Sequence, residues 1–273
     1  MKKLSMYCIS MEPNHLKTIK ELNYIPVGLG EKSFSKEWMK DNIGKNITFK
    51  NKYYGEYTFH YWFWKNYLGN TEDEWIGFCQ YRKFWSLQNI SKDLLSLPKL
   101  RNLALKEIPD EFNNYDVILG DSMSINNLKV MKFLKRGFKL IFKKPSYLFD
   151  KNKRNIKFHF DMWHGENYLS EAIKLLNNED RENFNNFVNT NTSFNPHNMF
   201  ICKSSSLLKR YYETVFDWLQ RCENIFGFEN LSGYGQTRIY GFLAERFMPY
   251  WFKKNAKVTT LPIIFYDIKK DFN

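Results

Sequence analysis

The sequence predicts an α/β fold in which one mostly parallel central sheet is flanked by helices. Short apolar runs with the length of buried strands alternate with stretches of helical period along the chain. No Gly- or Pro-rich linker and no internal repeat divides the 273 residues. We therefore expect a single domain over residues 1–273.

The first part of the chain opens with a predicted β-α-β unit. Residues 3–10 are typical of a buried strand, a short helix follows Pro13 and ends near residue 22, and residues 25–28 form a second strand. Residues 30–52 lack periodicity, and such a long connection indicates a functional segment. The next predicted elements are a helix over 53–68, a strand over 75–80, a helix over 93–106 and a strand over 115–119.

The second part is predicted to be richer in helices. A basic helix ends before Pro145, and the turn at Pro196 precedes a short strand over 198–202. Further helices are predicted over residues 170–178, 180–188, 205–225 and 236–252, and a last strand over 257–266.

The net charge of +12 at pH 7 and the pI of about 9.3 predict attraction to an anionic partner. The sign alone does not choose between nucleic acid, lipid headgroups and phosphorylated small molecules. Much of the excess lies in residues 129–154, and the segment 129–148 alternates lysines with phenylalanines and leucines. Two interpretations stay open: a helix lying on an anionic membrane surface, or a solvated basic helix that covers a groove.

Cysteine spacing and the amino terminus indicate the compartment. The four cysteines lie far apart without a C-x-x-C pair, so we expect buried thiols in a reducing compartment. The apolar stretch after Lys3 is too short for a signal peptide, and no apolar run of about 18 residues could span a bilayer. These observations predict a cytoplasmic protein.

Several chemistries lose their usual sequence support. The dinucleotide, P-loop, serine-hydrolase and zincin motifs are absent, and the five histidines are too scattered to favour a zinc site. Basic residues interleaved with aromatics can bind nucleic acid. However, no helix-turn-helix, zinc-finger or RNP-type pattern is visible, and the aromatics fall at core spacing, so we expect no nucleic-acid partner.

Polar and cationic residues follow the predicted strand 75–80. The strand runs directly into Gln80-Tyr81-Arg82-Lys83, at the carboxyl edge where open α/β sheets bind ligands. Arg82 can bind phosphate oxygens with two hydrogen bonds and Lys83 adds a point charge, which suits a diphosphate. The alternative is a surface pair before a turn.

Six blocks in order resemble one known family. The chain carries Asp41-Asn42-x-Gly44-x-Asn46-Ile47, then Glu56-x-Thr58-x-x-Tyr61-Trp62-x-Trp64-Lys65-Asn66, then Tyr81-Arg82-Lys83-Phe84, followed by blocks at 115–119, 198–201 and 234–246. This pattern is similar to bacterial capsule and lipopolysaccharide glycosyltransferases first defined as a domain of unknown function. Gln80 stands where the family has His, Lys83 where it has a second Arg, and Tyr168 where it has Asp.

The resemblance implies a single GT-A-like (Rossmann-like) domain. Residues up to about 120 would bind a nucleotide sugar, and residues from about 121 would bind the acceptor. The implied enzyme is an inverting hexosyltransferase that uses a UDP-sugar, with UDP-galactofuranose among the family's donors. Its acceptor would be a glycan or lipid-linked glycan of capsule, lipooligosaccharide or O-antigen assembly. The alternative function is a non-catalytic basic module that binds nucleic acid or an anionic membrane surface.

The same resemblance assigns candidate residues to roles. Glu245 is the first candidate for the general base and His164 the second. Glu245 could instead form an ordinary helix ion pair with Arg246. The polar loop residues could instead form an Asx turn that caps the next helix, and Trp163 could belong to the core. The donor-binding candidates are Asp41, Asn42, Asn46, Glu56, Lys65, Tyr81, Arg82 and Lys83, and the acceptor-binding candidates are Trp163, Asn198, Arg238 and Arg246.

The metal requirement depends on one tetrapeptide. Most GT-A enzymes hold Mg or Mn on Asp-x-Asp at a strand end, where this chain has Gln80-Tyr81-Arg82, while its acidic run at 72–74 precedes the strand. Either Arg82 and Lys83 replace the metal, or Asp121 or Asp41 holds one, and we favour metal independence. Because the implied acceptors can be lipid-linked, the basic stretch at 129–144 would dock the enzyme peripherally on the anionic inner leaflet of the inner membrane.

Overall fold

The computed structural model describes the backbone of residues 2–70, 75–127 and 130–272; the side chains at 70, 92, 130–136, 271 and 272 are not described. The strands are β1 (Lys2–Ser10), β2 (Ile25–Gly28), β3 (Met39–Lys40), β4 (Trp75–Gln80), β5 (Lys83–Trp85), β6 (Glu107–Ile108), β7 (Val117–Gly120), β8 (Met123–Ser124), β9 (Ser193–Phe194), β10 (Phe200–Cys202), β11 (Val258–Leu261) and β12 (Ile263–Phe265). The helices are α1 (Leu16–Glu21), α2 (Asn51–Tyr54), α3 (Tyr57–Asn66), α4 (Leu97–Leu103), α5 (Val130–Lys143), α6 (Ser146–Phe149), α7 (Ile156–His164), α8 (Tyr168–Lys174), α9 (Asn178–Thr190), α10 (Ser205–Phe226), α11 (Gly233–Thr237) and α12 (Ile239–Asn255).

The central sheet confirms the predicted fold class. Its strands lie in the order β3-β2-β1-β4-β10-β7-β11, and every neighbouring pair is parallel except the two pairs made by β10. Strand order reverses at β1, which lies between β2 on one side and β4 on the other. Such a reversal leaves a crevice at the carboxyl ends of the strands, where open α/β sheets bind ligands.

The predicted last strand is divided at Pro262. β11 pairs with β7, whereas β12 pairs antiparallel with β5, with Ile264 opposite Phe84, and β5 joins the same sheet through β4. Proline lacks the amide hydrogen that a continuous ladder needs, so the chain changes partner there. The result is a small antiparallel extension directly beside the end of β4.

The predicted helix over 53–68 is also divided. α2 ends at Gly55, whose φ of +58° is favoured by glycine, and α3 begins two residues later. A Cβ at Gly55 would lie 2.2 Å from Nη2 of Arg238, so the glycine also allows α12 to approach.

α7 was not predicted, although Asn155 caps it with its side chain and Phe158 and Phe160 face the core.

Helices cover both faces of the sheet. α3, α10 and α12 bury aromatic residues such as Phe63, Tyr211 and Phe247 on one face, and α1 and α4 cover Met6 and Trp85 on the other. The four cysteines are buried and free, and their burial confirms the prediction of buried thiols. Within the described ranges, no helix is both long and apolar enough to cross a membrane.

Candidate functional site

A cavity of about 320 Å³ lies at the carboxyl ends of β1 and β4, and we call it the strand-end cavity. β1 contributes Ile9, the turn after β4 contributes four consecutive residues, and α12 closes the opposite wall. The lining residues are Ile9, Met11, Leu29, Asn51, Gly55, Glu56, Gln80, Tyr81, Arg82, Lys83, His197, Asn198, Tyr234, Arg238, Gly241, Phe242 and Glu245.

Lys83 brings a half-buried ammonium group to this cavity. Its Nζ donates to Oε1 of Gln80 at 3.3 Å, and no carboxylate of the described residues lies within ion-pair distance. Burial lowers the pKa of Lys83, against the opposing effect of the negative charges of Glu56 and Glu245. The site therefore holds a poorly solvated cation whose charged form an anionic ligand would stabilise.

Arg82 adds a second cation at the mouth of the cavity. Its side chain is half exposed, and its Nε lies 2.9 Å from Oδ2 of Asp267. The guanidinium also packs on the ring of Tyr81, 4.8 Å from the ring centre. Arg82 and Tyr81 thus lie at the predicted cavity, with the arginine partly neutralised by a carboxylate near the carboxyl terminus.

Glu56 joins three segments of the cavity wall. Its Oε1 accepts hydrogen bonds from Nδ2 of Asn198 at 2.9 Å and Nε2 of Gln80 at 3.4 Å, and its Oε2 lies 3.5 Å from Nη2 of Arg238. Asn198 also donates to the carbonyl of Gly241 at 3.1 Å. Asn198 and Arg238, expected at an acceptor, therefore lie at the strand-end cavity, where they hold Glu56.

A second cavity of about 660 Å³ lies between α7 and α12, and we call it the α7–α12 cavity. It is lined by Met123, His159, Trp163, His164, Gly165, Phe194, Pro196, His197, Ser232, Gly233, Tyr234, Gly235, Gln236, Phe242, Glu245 and Arg246. Four residues line both cavities: His197, Tyr234, Phe242 and Glu245. The two cavities therefore adjoin along one wall.

Glu245 carries the carboxylate in that shared wall. Its side chain is 14% exposed; Oε1 accepts a hydrogen bond from the backbone N–H of His197 at 2.7 Å, and Oε2 forms an ion pair with Arg246. Glu245 is therefore held in a fixed orientation and is accessible from either cavity, and the expected helix ion pair with Arg246 is also present.

Arg246 is the centre of a buried cluster and is only 2% exposed. Besides Glu245, its Nη2 lies 3.3 Å from both Nδ1 of His159 and Nε2 of His164. Its guanidinium also lies 4.6 Å from the ring centre of Phe194. Through these contacts Arg246 orients Glu245, and Arg246 also lines the α7–α12 cavity.

The same cluster fixes the protonation of His164. Its Nδ1 lies 3.2 Å from the carbonyl oxygen of Gly235, which can only accept, so Nδ1 carries the hydrogen and Nε2 accepts from Arg246. Burial and the positive charge of Arg246 lower the pKa of His164, and the same causes lower the pKa of His159 to about 3. Because the basic nitrogen of His164 is occupied, the geometry favours Glu245 over His164 as a base.

Two consecutive residues before β10 adopt the left-handed conformation. His197 has φ +86° and Asn198 has φ +53°, and such non-glycine residues cost about 1 kcal/mol or more each. The His197 carbonyl accepts from Nε2 of Gln80 at 3.3 Å, and its N–H points at Glu245. Sequence reasoning missed His197, His159 and the bonding role of Gln80; the turn at Pro196 was the available signal for the first.

The polar loop before α2 is placed differently from the expectation. Asp41, Asn42, Asn46 and Lys65 do not line either cavity in the described structure. Asp41 is 2% exposed, and burial raises the pKa of its carboxyl, opposed by hydrogen bonds from Thr58 and Thr48. Asn42 is exposed, and the Nζ of exposed Lys65 lies 3.2 Å from the ring centre of Trp64.

Asn66 and Trp62 of α3 hold this loop in place. Asn66 accepts from the Lys45 N–H at 2.9 Å and donates to the Lys45 carbonyl at 2.8 Å. Trp62 donates to the carbonyl of Ile43 at 2.7 Å, and Asn46 donates to the carbonyl of Gly44 at 3.0 Å. The first two family blocks thus meet through hydrogen bonds to the backbone, so their polar residues support the loop and not the cavity.

Carboxylates are the side chains of these cavities that could hold a divalent cation. Among the described residues, no three side chains able to ligate a metal lie together, and the acidic run at 72–74 lies outside those residues. Glu56 and Glu245 are engaged with cations and hydrogen-bond donors, Asp41 is buried, and Asp121 is exposed and lines neither cavity. The cations Arg82 and Lys83 line the strand-end cavity.

The fold and cavity define the class of protein: a Rossmann-like α/β protein whose strand-end cavity lies where the strand order reverses. The chain belongs to the family described as Domain of unknown function (DUF4422), whose model matches residues 6–256. No curated protein matches it significantly. Its fold is similar to that of the apo structure of WbbM, a bifunctional glycosyltransferase, with a TM-score of 0.56 and 20% identity over 96% of this chain. The match spans 45% of the WbbM chain.

Proposed function

We propose that this protein is an inverting glycosyltransferase that moves a hexose from a UDP-sugar to a glycan or lipid-linked acceptor. The observation that carries the proposal is the position of Glu245, whose carboxylate lies in the wall shared by two cavities. A transferase needs a donor and an acceptor side by side with a base between them. The likeness of its fold to that of a bifunctional glycosyltransferase supports the same class.

The strand-end cavity is the proposed donor site. The ammonium of Lys83 has no carboxylate partner among the described residues, and Arg82 lies at the same strand end. These two cations suit the two phosphates of a UDP-sugar, and in this proposal they do the work that a metal does in other enzymes. When the donor binds, Arg82 would release Asp267 and contact a phosphate oxygen of the donor.

The α7–α12 cavity is the proposed acceptor site. Its volume of about 660 Å³ lies within the usual range for small-molecule sites, about 300–1,000 Å³. Trp163, Tyr234 and Phe242 line it and offer aromatic faces for a sugar ring. Of the four acceptor residues expected from the sequence, Trp163 and Arg246 line this cavity, and we propose Trp163 for the direct contact with the sugar.

The proposed reaction is a single displacement. The acceptor hydroxyl oxygen attacks the anomeric carbon while its proton passes to the Glu245 carboxylate, and the bond from that carbon to the diphosphate oxygen breaks. The electron pair leaves with the diphosphate, whose growing charge Lys83 and Arg82 stabilise. Arg246 and the His197 N–H hold the Glu245 carboxylate in the position from which it would accept the proton.

A more specific form names the substrates. The resemblance of the sequence blocks supports UDP-galactofuranose as a donor and an acceptor from capsule, lipooligosaccharide or O-antigen assembly. Screening nucleotide sugars for thermal stabilisation and for hydrolysis, with and without EDTA, tests both the donor and the metal independence. Stabilisation by one UDP-sugar that persists in EDTA is the expected result.

Glu245→Gln tests the base. Donor-induced stabilisation should persist while turnover falls by about 10²–10⁴-fold, because the amide cannot take the proton. Glu213→Gln is the matched control, since Glu213 lies on the outer surface of α10 and lines neither cavity. Unchanged turnover in Glu245→Gln would exclude Glu245 as the general base. Salt-sensitive binding of oligonucleotides without any response to UDP would favour the non-catalytic alternative.

A further inference from the structure

Three phenylalanines are exposed on the consecutive helices α5 and α6. Phe138 and Phe142 on α5 are 67% and 80% exposed with ring centres 6.4 Å apart, and Phe149 at the end of α6 is 85% exposed. Leu148, the residue before Phe149, is 39% exposed. We call these four side chains the phenylalanine patch. Exposed large apolar side chains that cluster on a surface indicate an interaction site.

The patch is held outward by structure on its inner side. Gly137 and Ile141 of α5 pack against Phe158 and Met162 of α7, and a Cβ at Gly137 would meet Met162 and Phe158 at ordinary van der Waals distances. Arg154 donates to the carbonyls of Tyr147 at 2.7 Å and Leu148 at 2.8 Å, which fixes α6. The exposed rings are therefore presented by a packed element.

Exposed lysines lie next to the patch residues in the sequence. Lys139 and Lys143 are exposed on α5, Lys144 between α5 and α6, and Lys151 and Lys153 in the turn after α6. Lys143 pairs with Glu166 at 2.6 Å and Lys153 lies 3.8 Å from Asp150, but Lys139 and Lys144 have no carboxylate within ion-pair distance in the described part of the chain. The combination of aromatic side chains with unpaired lysines complements an anionic lipid surface, which accepts both.

α7 connects this surface to the acceptor cavity. One side of α7 supports α5 through Phe158 and Met162, and the other carries His159, Trp163 and His164 into the α7–α12 cavity. Trp163 also packs against the cluster beneath α5. A membrane at the phenylalanine patch would therefore lie one helix away from the site proposed for the acceptor.

We propose that the phenylalanine patch inserts into an anionic lipid bilayer, with Lys139 and Lys144 on the headgroups, and so places the α7–α12 cavity at the membrane surface. The delivery of a lipid-linked acceptor rests on the proposed function; the binding to the bilayer does not. The predicted basic stretch also includes residues 132, 135 and 136, but their side chains are not among those described. The proposed surface is therefore defined by residues from 138 onward.

Co-sedimentation with vesicles tests the proposal. The full chain should bind vesicles of phosphatidylglycerol and phosphatidylcholine and bind much less to phosphatidylcholine alone. Replacing Phe138, Phe142 and Phe149 by serine should weaken partitioning by at least about tenfold, because the apolar burial is lost. Lys139→Gln with Lys144→Gln should weaken it by about fivefold for each lysine, on anionic vesicles only.

Matched controls make the result specific. Lys17→Gln with Lys99→Gln removes the same charge from another exposed surface and should leave partitioning unchanged. Circular dichroism and UDP-induced stabilisation should match the wild type in every variant, so a failed donor site would be seen separately. Inorganic phosphate at equal phosphate concentration should not displace the protein from vesicles.

Two outcomes would overturn the docking surface. One is partitioning of the triple phenylalanine variant equal to that of the wild type. The other is an effect of the patch lysines on single-stranded RNA binding with none on vesicles, which would assign the surface to nucleic acid.

Discussion

Two polar segments of this molecule differ in what their side chains contact. The amides and the carboxylate of the loop at 41–48 bond to the loop's own backbone and to α3, whereas the side chains of residues 80–83 line a cavity. Both looked like ligand-binding segments in the sequence. The difference is where the hydrogen bonds go: a loop without regular structure must satisfy its own backbone groups, and a strand end has already done so.

The largest expected effect separates the two segments by their lysines. Lys83→Ala should weaken binding of UDP-sugar by about ten- to a hundredfold, because charge-assisted hydrogen bonds contribute about 1.5–3 kcal/mol. Thermal stability should not fall, because the variant removes a half-buried cation without a carboxylate partner among the described residues. Lys65→Ala is the control and should bind the donor normally; calorimetry measures both. Equal losses in the two variants would erase the distinction.

A glycine tests the structural segment. Gly44 has φ +63°, and a Cβ there would lie 2.3 Å from Oδ1 of Asn66. Gly44→Ala should therefore lower the free energy of unfolding by about 2 kcal/mol through backbone strain and a displaced Asn66, with donor affinity per folded molecule unchanged. Gly69→Ala, where no atom lies within 4 Å, is the control for urea denaturation. A loss of donor affinity in Gly44→Ala would show that the loop contacts the ligand.

The tryptophan of the second family block makes a smaller contribution. Trp62→Phe keeps an aromatic ring but removes the hydrogen bond to the Ile43 carbonyl. We expect a loss of about 1 kcal/mol in unfolding free energy, the usual net value of one such bond. Donor binding should be unchanged. Urea denaturation gives the first quantity and isothermal calorimetry the second; a stability equal to wild type would mean that the loop is held by Asn66 alone.

The smallest effect concerns pH. Burial lowers the pKa of Lys83, so its amine loses its charge at a lower pH than an ordinary lysine. Donor affinity should be full below that pKa and should fall as pH rises through it, by up to about tenfold per pH unit. Lys83→Arg stays charged and should flatten the profile. Parallel profiles in wild type and variant would place the titrating group elsewhere.

The fold class could be predicted from the sequence because predicted strands and helices alternate with clear hydrophobic periods. The direction of β10 could not be predicted, since an apolar run of three residues, Phe200–Cys202, is equally compatible with parallel and antiparallel pairing. The breaks at Gly55 and Pro262 could have been anticipated from residue type alone. α7 was missed because its helical period is masked by aromatic residues on several faces.

The candidate site was predictable only in part. Residues 81–83 and Glu245, which strand ends and family blocks indicate, line the strand-end cavity. Asp41 and Lys65 line neither cavity, and the sequence could not show this because a side chain that bonds to the backbone has the same chemistry as one that binds a ligand. His197 was missed because its contribution is a backbone N–H in a left-handed conformation, which no residue pattern reveals.

The buried guanidinium of Arg246 has a consequence for how related sequences diverge. Three side chains depend on one cation: Glu245 as its counter-ion and the imidazoles of His159 and His164 as its acceptors. Loss of the arginine alone would leave the Glu245 carboxylate without its counter-ion and the two imidazoles without their hydrogen-bond donor. Lysine cannot reproduce the planar set of donors of arginine. Substitutions at these four positions should therefore arise together, and joint variation across the family would be their evolutionary signature.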